Sequence, residues 1–453
     1  MPEITESRVE TIERFLRDEL AETELPGVSL AITDADELVY ANGFGSRDLA
    51  NNDPATAETI YGMGSVSKSF CALATAMLVE EGALAFEDPI TDHLDVDLPE
   101  RITIHDLLSH TSGVPSMASS EALIARQLDR GEAGVPLGSR DDFLAHVEGA
   151  VAELETRPDD RWMYCNAGYN LVGEVIAAVT GRSYVDFVSQ EVLHPLGMAR
   201  STYHRDVFEA DGDRMTPYFP DEDGNEPTSV PIRELSAPAG GLLAPVTDMT
   251  AYLRLHLNGG TLGDTELVDG DVLARCYEPH AETPDGPYGY GWRTRSVAGG
   301  QLIGHGGSIA VSTAYIGFDP DAELGIALGA NGSPGYGLAT LGEAVYTALA
   351  GEEPDATPFF DRRERLEDLC GEYESHRGIK TGTVERRGGV LELTLSDPIG
   401  DADPMVCIPE SLDGPDAREF AVLATSGTRH PVEFVREDGA WTLYYDRWRL
   451  RPA

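Results

Sequence analysis

The spacing of apolar residues changes twice between residues 27 and 350, and that order restricts the fold more than any other feature. GVSLAITDADELVYANGFG (27–45) alternates roughly as strands do and breaks at an acidic turn, so two strands are predicted. Phe70, Leu73, Ala74, Met77 and Leu78 then recur at helical spacing, which predicts a helix over about 65–81, stopped by Gly82. Further helices are predicted at 102–108, about 141–154, within 163–181 up to Gly181, at 183–198 and at about 247–258. Thr103, with Asp106 three residues on, is a candidate N-cap. Four strand-like pieces fill 288–330 and read as an antiparallel meander, and a helix at about 337–350 follows. An opening amphipathic helix is expected at 6–20. A sheet drawn from both ends, with helices inserted between, makes the class α+β rather than a βαβ series.

GEEPDATPF (351–359) reads as a linker, and the pattern beyond it switches to period two. Leu391, Leu393 and Leu395 fall on one strand face, and 430–445 reads as a hairpin around Asp438-Gly439. The expected organisation is one domain over 1–350, a linker over 351–359, and a small all-β barrel or sandwich over 360–453. The acidic, Pro-rich stretch 205–235 reads as a long surface excursion.

Composition excludes several function classes. Asp plus Glu number 79 against 33 Lys plus Arg, a formal net charge of −46. Such a surface repels nucleic acid and anionic membrane, so neither is an expected partner. The acid is spread along the chain, as in proteins of salt-loving microbes with salt-filled cytoplasm. No secretory pattern opens the chain and no apolar run approaches the ~18 residues of a membrane span, so the expected location is the cytoplasm of a halophile. Cys71, Cys165, Cys276, Cys370 and Cys407 are odd in number and form no CxxC, which predicts free thiols and no zinc site. No cofactor is expected.

Only two lysines occur, Lys68 and Lys380. Lys68 lies three residues after Ser65, so the two share a helical face. Two readings of the isolated S-x-x-K pattern stand open. Ser65 caps a helix and Lys68 is an exposed charge, or Ser65 is a nucleophile activated by a lysine that burial keeps partly neutral. Apolar and small flanks weigh against a solvated lysine. The histidine in SHTSG, His110, reads as a structural loop residue, because no second ligand stands at zinc-like spacing. The chain has no G-x-S-x-G elbow, no HExxH and no P-loop.

YGMGSVSKSF (61–70) resembles the S-x-x-K element of the serine β-lactamase and penicillin-binding-protein superfamily, particularly its class C β-lactamase, esterase and D-aminopeptidase branch. Tyr164-Cys165-Asn166 resembles the Y-x-N element, and His305-Gly306-Gly307 the K-T-G or H-x-G strand element. LLSHTSGVP (107–115) and AGGLLAPVTDM (239–249) look like family segments, and all five stand in family order. The resemblance spans roughly 8–350 and implies a β-lactamase/transpeptidase-like domain. It implies Ser65 as nucleophile, Lys68 and Tyr164 sharing the general-base work, and Tyr164 passing a proton to the leaving group. It also implies that Asn166 orients substrate or Lys68, that His305 bonds Tyr164 or substrate, and that the backbone N–H groups of Ser65 and Ser308 form the oxyanion hole. Trp162 and Tyr169 are expected to pack around the Tyr164 loop. LCGEYES (369–375) resembles the opening strand of lipocalin-like barrels appended to some relatives, where gating, oligomerisation and stability are the roles open to it.

Two departures shape the expected function. Cys165 replaces the usual serine, and His305 replaces a fixed lysine cation with a mostly neutral imidazole. The expectation is a serine hydrolase acting through an acyl-enzyme on an ester, small amide or peptide, as an esterase or D-aminopeptidase-like peptidase. The alternatives are β-lactamase or D-Ala-D-Ala carboxypeptidase activity, and a non-catalytic binding or scaffold protein on the same fold. The substrate is a small molecule, and a homo-oligomer is compatible with the chain.

Overall fold

The computed structural model describes residues 4–116, 118–130, 137–154, 161–221 and 224–453. The chain divides into two units, one ending at Pro354 and one beginning at Asp355.

In the first unit nine antiparallel strands form one sheet. Their spatial order is Ala281–Thr283, Gly286–Tyr288, Arg293–Val297, Gly300–Ser308, Thr313–Asp319, Leu324–Ala330, Gly27–Asp34, Leu38–Asp48 and Asp53–Pro54. The strand Gly27–Asp34 therefore lies between its sequence neighbour and a strand from the far end of the unit: Val28 faces Phe44 on one side and Ala330 on the other. Its side chains are buried along almost its whole length, which is why it reads as a near-continuous apolar run. Helix Val246–Leu257 packs on Gly27–Asp34 and Leu324–Ala330, and helix Leu338–Ala350 packs on Gly300–Ser308 and Thr313–Asp319.

The inserted helices bury more than one face. Every residue from Ser67 to Leu78 is buried in helix Ser67–Glu80, and Phe70 stacks on Tyr252 with ring centroids 3.8 Å apart. Thr103 and Asp106 form a reciprocal capping box on the short helix Ile104–Leu108. Helix Asn166–Thr180 ends at Gly181, whose φ of 68° closes it in the left-handed conformation. The stretch 205–235 departs from the expected surface excursion. It contains helix Arg205–Ala210 and the strand pair Tyr218–Asp221 and Gly224–Pro227, and it plants Phe208, Met215, Val230 and Ile232 in the core. These apolar residues are too sparse among acids and prolines to show a period.

The second unit is a closed antiparallel barrel of eight strands. Gly371–Glu374, Thr381–Arg387, Val390–Asp397, Met405–Ser411, Ala417–Leu423, Arg429–Glu437, Ala440–Tyr445 and Trp448–Pro452 each pair with the next. The first strand closes on the last through Tyr373 and Pro452. This up-and-down order is lipocalin-like. Leu391, Leu393 and Leu395 point into a core shared with Phe420, Phe434 and Leu443. Asp438 and Gly439 turn the last long hairpin with φ of 53° and 86°, the primed geometry that matches strand twist. Lys380 pairs with Asp397 at 3.0 Å. The stretch read as a linker holds the short turn Pro354–Ala356 and the start of helix Pro358–Glu367, with proline in the first helical turn.

Among the described residues, no helix is long and apolar enough to cross a membrane, and no group of three or more His, Cys, Asp or Glu side chains is placed to hold a metal ion. All five cysteines are free thiols, and all but Cys370 are buried. A net charge of −46 leaves the folded chain under strong self-repulsion, which mobile ions screen. The melting temperature is therefore expected to rise steadily from dilute buffer to molar KCl in a calorimetric or circular-dichroism melt. A flat salt dependence counts against this account of the acidity.

Candidate active site

Ser65 sits in the 3-10 turn Gly64–Val66, which runs directly into helix Ser67–Glu80. Two ties fix the turn. The Ser67 hydroxyl donates to Gly64 O at 2.7 Å and accepts from the Leu242 amide at 3.0 Å. One helical turn on, Lys68 is fully buried. Its ammonium donates to Ser65 Oγ at 3.0 Å, to Asn166 Oδ1 at 2.7 Å and to Ala239 O at 2.8 Å. The rings of Tyr164 and Tyr169 lie 4.7 and 5.5 Å from its nitrogen. These acceptors are all neutral, so among the described residues no carboxylate in contact stabilises the charge. Burial pushes Lys68 down to about 7.

Tyr164 immediately precedes the buried residue that caps helix Asn166–Thr180. Burial raises its phenol above the ordinary value, and hydrogen bonding with Ser65 offsets part of the rise. The lysine and the phenol are thus shifted in opposite directions, one towards the neutral amine and the other away from the phenolate.

His110 holds the Tyr164 loop from both sides. Its backbone oxygen accepts from the Met163 amide at 2.8 Å, and its Nδ1 accepts from the Cys165 amide at 3.1 Å. The imidazole lies 4.3 Å from the Tyr164 ring centroid and 5.1 Å from those of Tyr169 and Tyr288. Its backbone is left-handed, with φ of 63°. The structural part read for it from sequence is this clamp on Tyr164, a contact made across 55 residues that no local pattern signals. Trp162 and Tyr169 also pack by the loop, and the Tyr169 hydroxyl donates to Leu108 O at 2.6 Å.

Cys165 is 1% exposed, and its thiol donates weakly to Pro115 O at 3.4 Å. Burial pushes it up to about 11, so it is not a thiolate near neutral pH. His305, on strand Gly300–Ser308, has Nδ1 2.6 Å from Gly306 O and Nε2 3.1 Å from the Tyr288 hydroxyl. A carbonyl only accepts, so Nδ1 carries the proton and Nε2 accepts from Tyr288. Burial pushes His305 down to about 3, so it stays neutral. Its partner is Tyr288 rather than Tyr164, whose ring centroid is 6.4 Å away.

Two glycines let strand Gly300–Ser308 close on the serine turn. Gly64 has φ of 50°, and a Cβ there would lie 2.5 Å from Ser308 N. A Cβ on Gly307 would lie 1.9 Å from Met63 O and 2.9 Å from Ser65 N. Only bare backbone fits between them, and Ser65 and Ser308 line the same cavities.

A hydrogen-bonded serine and lysine at the start of a buried helix, a tyrosine facing them and a glycine-lined strand edge form one constellation. The family pattern described as Beta-lactamase matches residues 12–348. The chain belongs to this family of serine hydrolases. A second pattern, described as Pab87 octamerisation domain, matches residues 354–451. Among curated relatives of the beta-lactamase family, Penicillin-binding protein 4 of Amycolatopsis lactamdurans is 27% identical over 382 residues, 79% of this chain and 95% of that protein. Protein flp of Staphylococcus aureus strain MW2 is 25% identical over 338 residues, 72% of this chain. The match spans 64% of that relative, less than two thirds of its length. The structure of the octameric penicillin-binding protein homologue from Pyrococcus abyssi superposes with a TM-score of 0.90 and 32% identity, covering 98% of this chain and 99% of that one.

Proposed function

We propose that this beta-lactamase-family chain is a serine hydrolase that forms an acyl-enzyme on Ser65 from an ester, small amide or peptide. The observation that carries the reading is the fully buried Lys68, 3.0 Å from Ser65 Oγ and with no carboxylate partner among the described residues. In its neutral form Lys68 takes the Ser65 proton as Oγ attacks the substrate carbonyl. The backbone amides of Ser65 and Ser308 receive the oxyanion. As the carbon–heteroatom bond breaks, Tyr164 donates its proton to the leaving atom and recovers one from the Lys68 ammonium. Water then attacks the Ser65 ester and passes a proton through the same pair to Ser65 Oγ, which leaves as the acid is released. The opposed pKa shifts favour dividing the work, with Lys68 as base and Tyr164 as acid. Asn166 Oδ1 orients Lys68. The direct test is mass spectrometry after a fluorophosphonate or a slow ester. The adduct is expected on the peptide containing Ser65, and an adduct on Cys165 would sink the assignment.

The proposed acid works only while His110 holds its loop. His110→Ala removes the acceptor for the Cys165 amide and puts alanine at a left-handed φ. Misplacement on this scale costs on the order of 10²-fold in rate, so kcat is expected to fall that far while KM moves little. Asparagine tolerates the left-handed backbone and offers an acceptor, so His110→Asn should recover part of the loss. Equal kcat in His110→Ala and the parent would reject the clamp.

We also propose that the barrel assembles copies of the chain. Support comes from the match to an octamerisation domain and from the octameric homologue. A second support is the exposed apolar side chains Val406, Ile408 and Leu423 on adjacent strands, with Val406 next to Leu423 by the register. Native mass spectrometry should report an oligomer for the parent. Combining Val406→Glu with Leu423→Glu should give smaller species that still acylate at Ser65. An unchanged oligomer would place the contact elsewhere.

A further inference from the structure

Tyr164 lines a cavity of about 520 Å³, the volume of an ordinary small-molecule site. The leaving atom must lie beside the group that protonates it, so in the proposed mechanism this cavity receives the leaving portion of the substrate. Strand residues such as Arg293, Arg295 and Tyr315 form part of its wall. Another part is the connection from strand Leu324–Ala330 to helix Leu338–Ala350, which contributes Ser333, Gly335, Tyr336 and Gly337.

That connection reads NGSPGYG (331–337). Gly332, Gly335 and Gly337 leave its backbone many conformations, and Gly335 takes a φ of 82°. Its two ends are fixed. Thr313 Oγ1 donates to Gly332 O at 2.7 Å, and Gly337 O accepts from the Thr340 amide at 2.9 Å as the helix opens. Between them, Ser333 Oγ accepts from the Gly335 amide at 3.3 Å, a bond internal to the loop that anchors it to nothing else. Tyr336 reaches outward: its hydroxyl donates to Glu19 Oε2 at 2.5 Å.

Glu19 belongs to helix Glu6–Thr23 and is 4% exposed, yet it does not line the cavity. A carboxylate is costly to bury unless hydrogen bonds satisfy it, and a phenol donating to one makes a short, charge-assisted bond. A tyrosine turns about only two side-chain torsions, so a fixed hydroxyl fixes the ring and, through it, the backbone at 336.

We infer that Tyr336 is a specificity-determining residue of this cavity and Glu19 its positioning residue, the bond between them setting how large a leaving portion the cavity binds. The inference rests on the serine-hydrolase reading above. Released from Glu19, the ring and the glycine-rich backbone spread over several positions. A bulky leaving portion must then order them as it binds, whereas a compact one that stops short of the wall is spared that cost.

The full-length chain would be assayed with phenyl acetate and 4-biphenylyl acetate, which share an acyl group and release phenols of similar acidity. The readout is the ratio of kcat/KM for the biphenylyl ester to that for the phenyl ester. Glu19→Ala is expected to lower this ratio about three- to tenfold, through KM of the larger ester. Tyr336→Phe should lower it by a similar factor, and the double variant no further, because all three lose the same bond. Glu19→Gln keeps an acceptor oxygen and should restore most of the ratio. Protection of Ser65 from fluorophosphonate labelling by 4-phenylphenol reads binding without acyl chemistry, and it should weaken in Glu19→Ala. Equal losses of kcat on both esters with the ratio unchanged would mark a merely structural bond and overturn the inference. Effects of the two single variants that add in the double variant, or protection equal in Glu19→Ala and the parent, would overturn it too. Each of these leaves the serine-hydrolase reading standing, whereas absence of labelling at Ser65 in the parent overturns both.

Discussion

Ser65→Ala is expected to abolish fluorophosphonate labelling and to lower turnover of any ester substrate by roughly 10⁴-fold or more. The size follows from the chemistry. Without Oγ the proposed acyl-enzyme cannot form, and neither the buried lysine nor the backbone amides proposed to receive the oxyanion can replace the lost bond. Alanine fits the turn, because the ties that hold it run through Ser67 rather than Ser65. The variant should therefore melt close to the parent while losing its adduct. A variant that folds and keeps a tenth of the parent turnover would show that another group attacks. Cys165 is a poor substitute, since burial pushes its thiol up to about 11.

Lys68→Met should lower kcat by roughly 10²–10⁴-fold, the usual scale of general acid–base help. The parent should also show a particular pH profile. Burial pushes Lys68 down to about 7, and in the proposed mechanism only the neutral amine can accept the Ser65 proton. kcat/KM is thus expected to rise with pH through an acid limb centred near 7, and Lys68→Met should lose that limb. Stability carries the same signature. The unfolded lysine holds its proton up to about 10.5, whereas the folded one releases it from about 7. Between those values the unfolded chain binds more protons, so this group's contribution to stability rises with pH. Parent stability relative to Lys68→Met should therefore grow from pH 7 to pH 10 in denaturant titrations. A pH-independent difference would place the amine outside the titrating system.

The nearness of Ser65 and Lys68 was legible in sequence because it is local: three residues along one helix bring the side chains together. The capping box at Thr103 and Asp106 and the stop at Gly181 were legible for the same reason. The sheet drawn from both ends was legible because 27–45 and 288–330 carry strand patterns of their own. What could not be read were contacts made across the fold. Nothing near Lys68 announces that the Ala239 carbonyl accepts from it, and nothing in SHTSG announces that His110 grips both neighbours of Tyr164. Tyr288 as the partner of His305, and Arg293 and Arg295 as cavity cations, depend on which strands lie side by side. The 205–235 segment misled because composition reports average polarity, whereas a few isolated side chains such as Phe208 and Met215 fix where the backbone packs.

The placement of strand Gly27–Asp34 against Leu324–Ala330 also bears on how the protein is made. During synthesis the early strand leaves the ribosome long before its second partner exists. Until residue 330 has emerged, one backbone edge of Gly27–Asp34 stays unpaired, beside an apolar face that helix Val246–Leu257 packs on in the finished fold. Closing such distant pairs is slow, because the intervening chain must first be ordered. The nascent chain therefore passes through a long interval with an open, adhesive strand, the kind of species that chaperones shield.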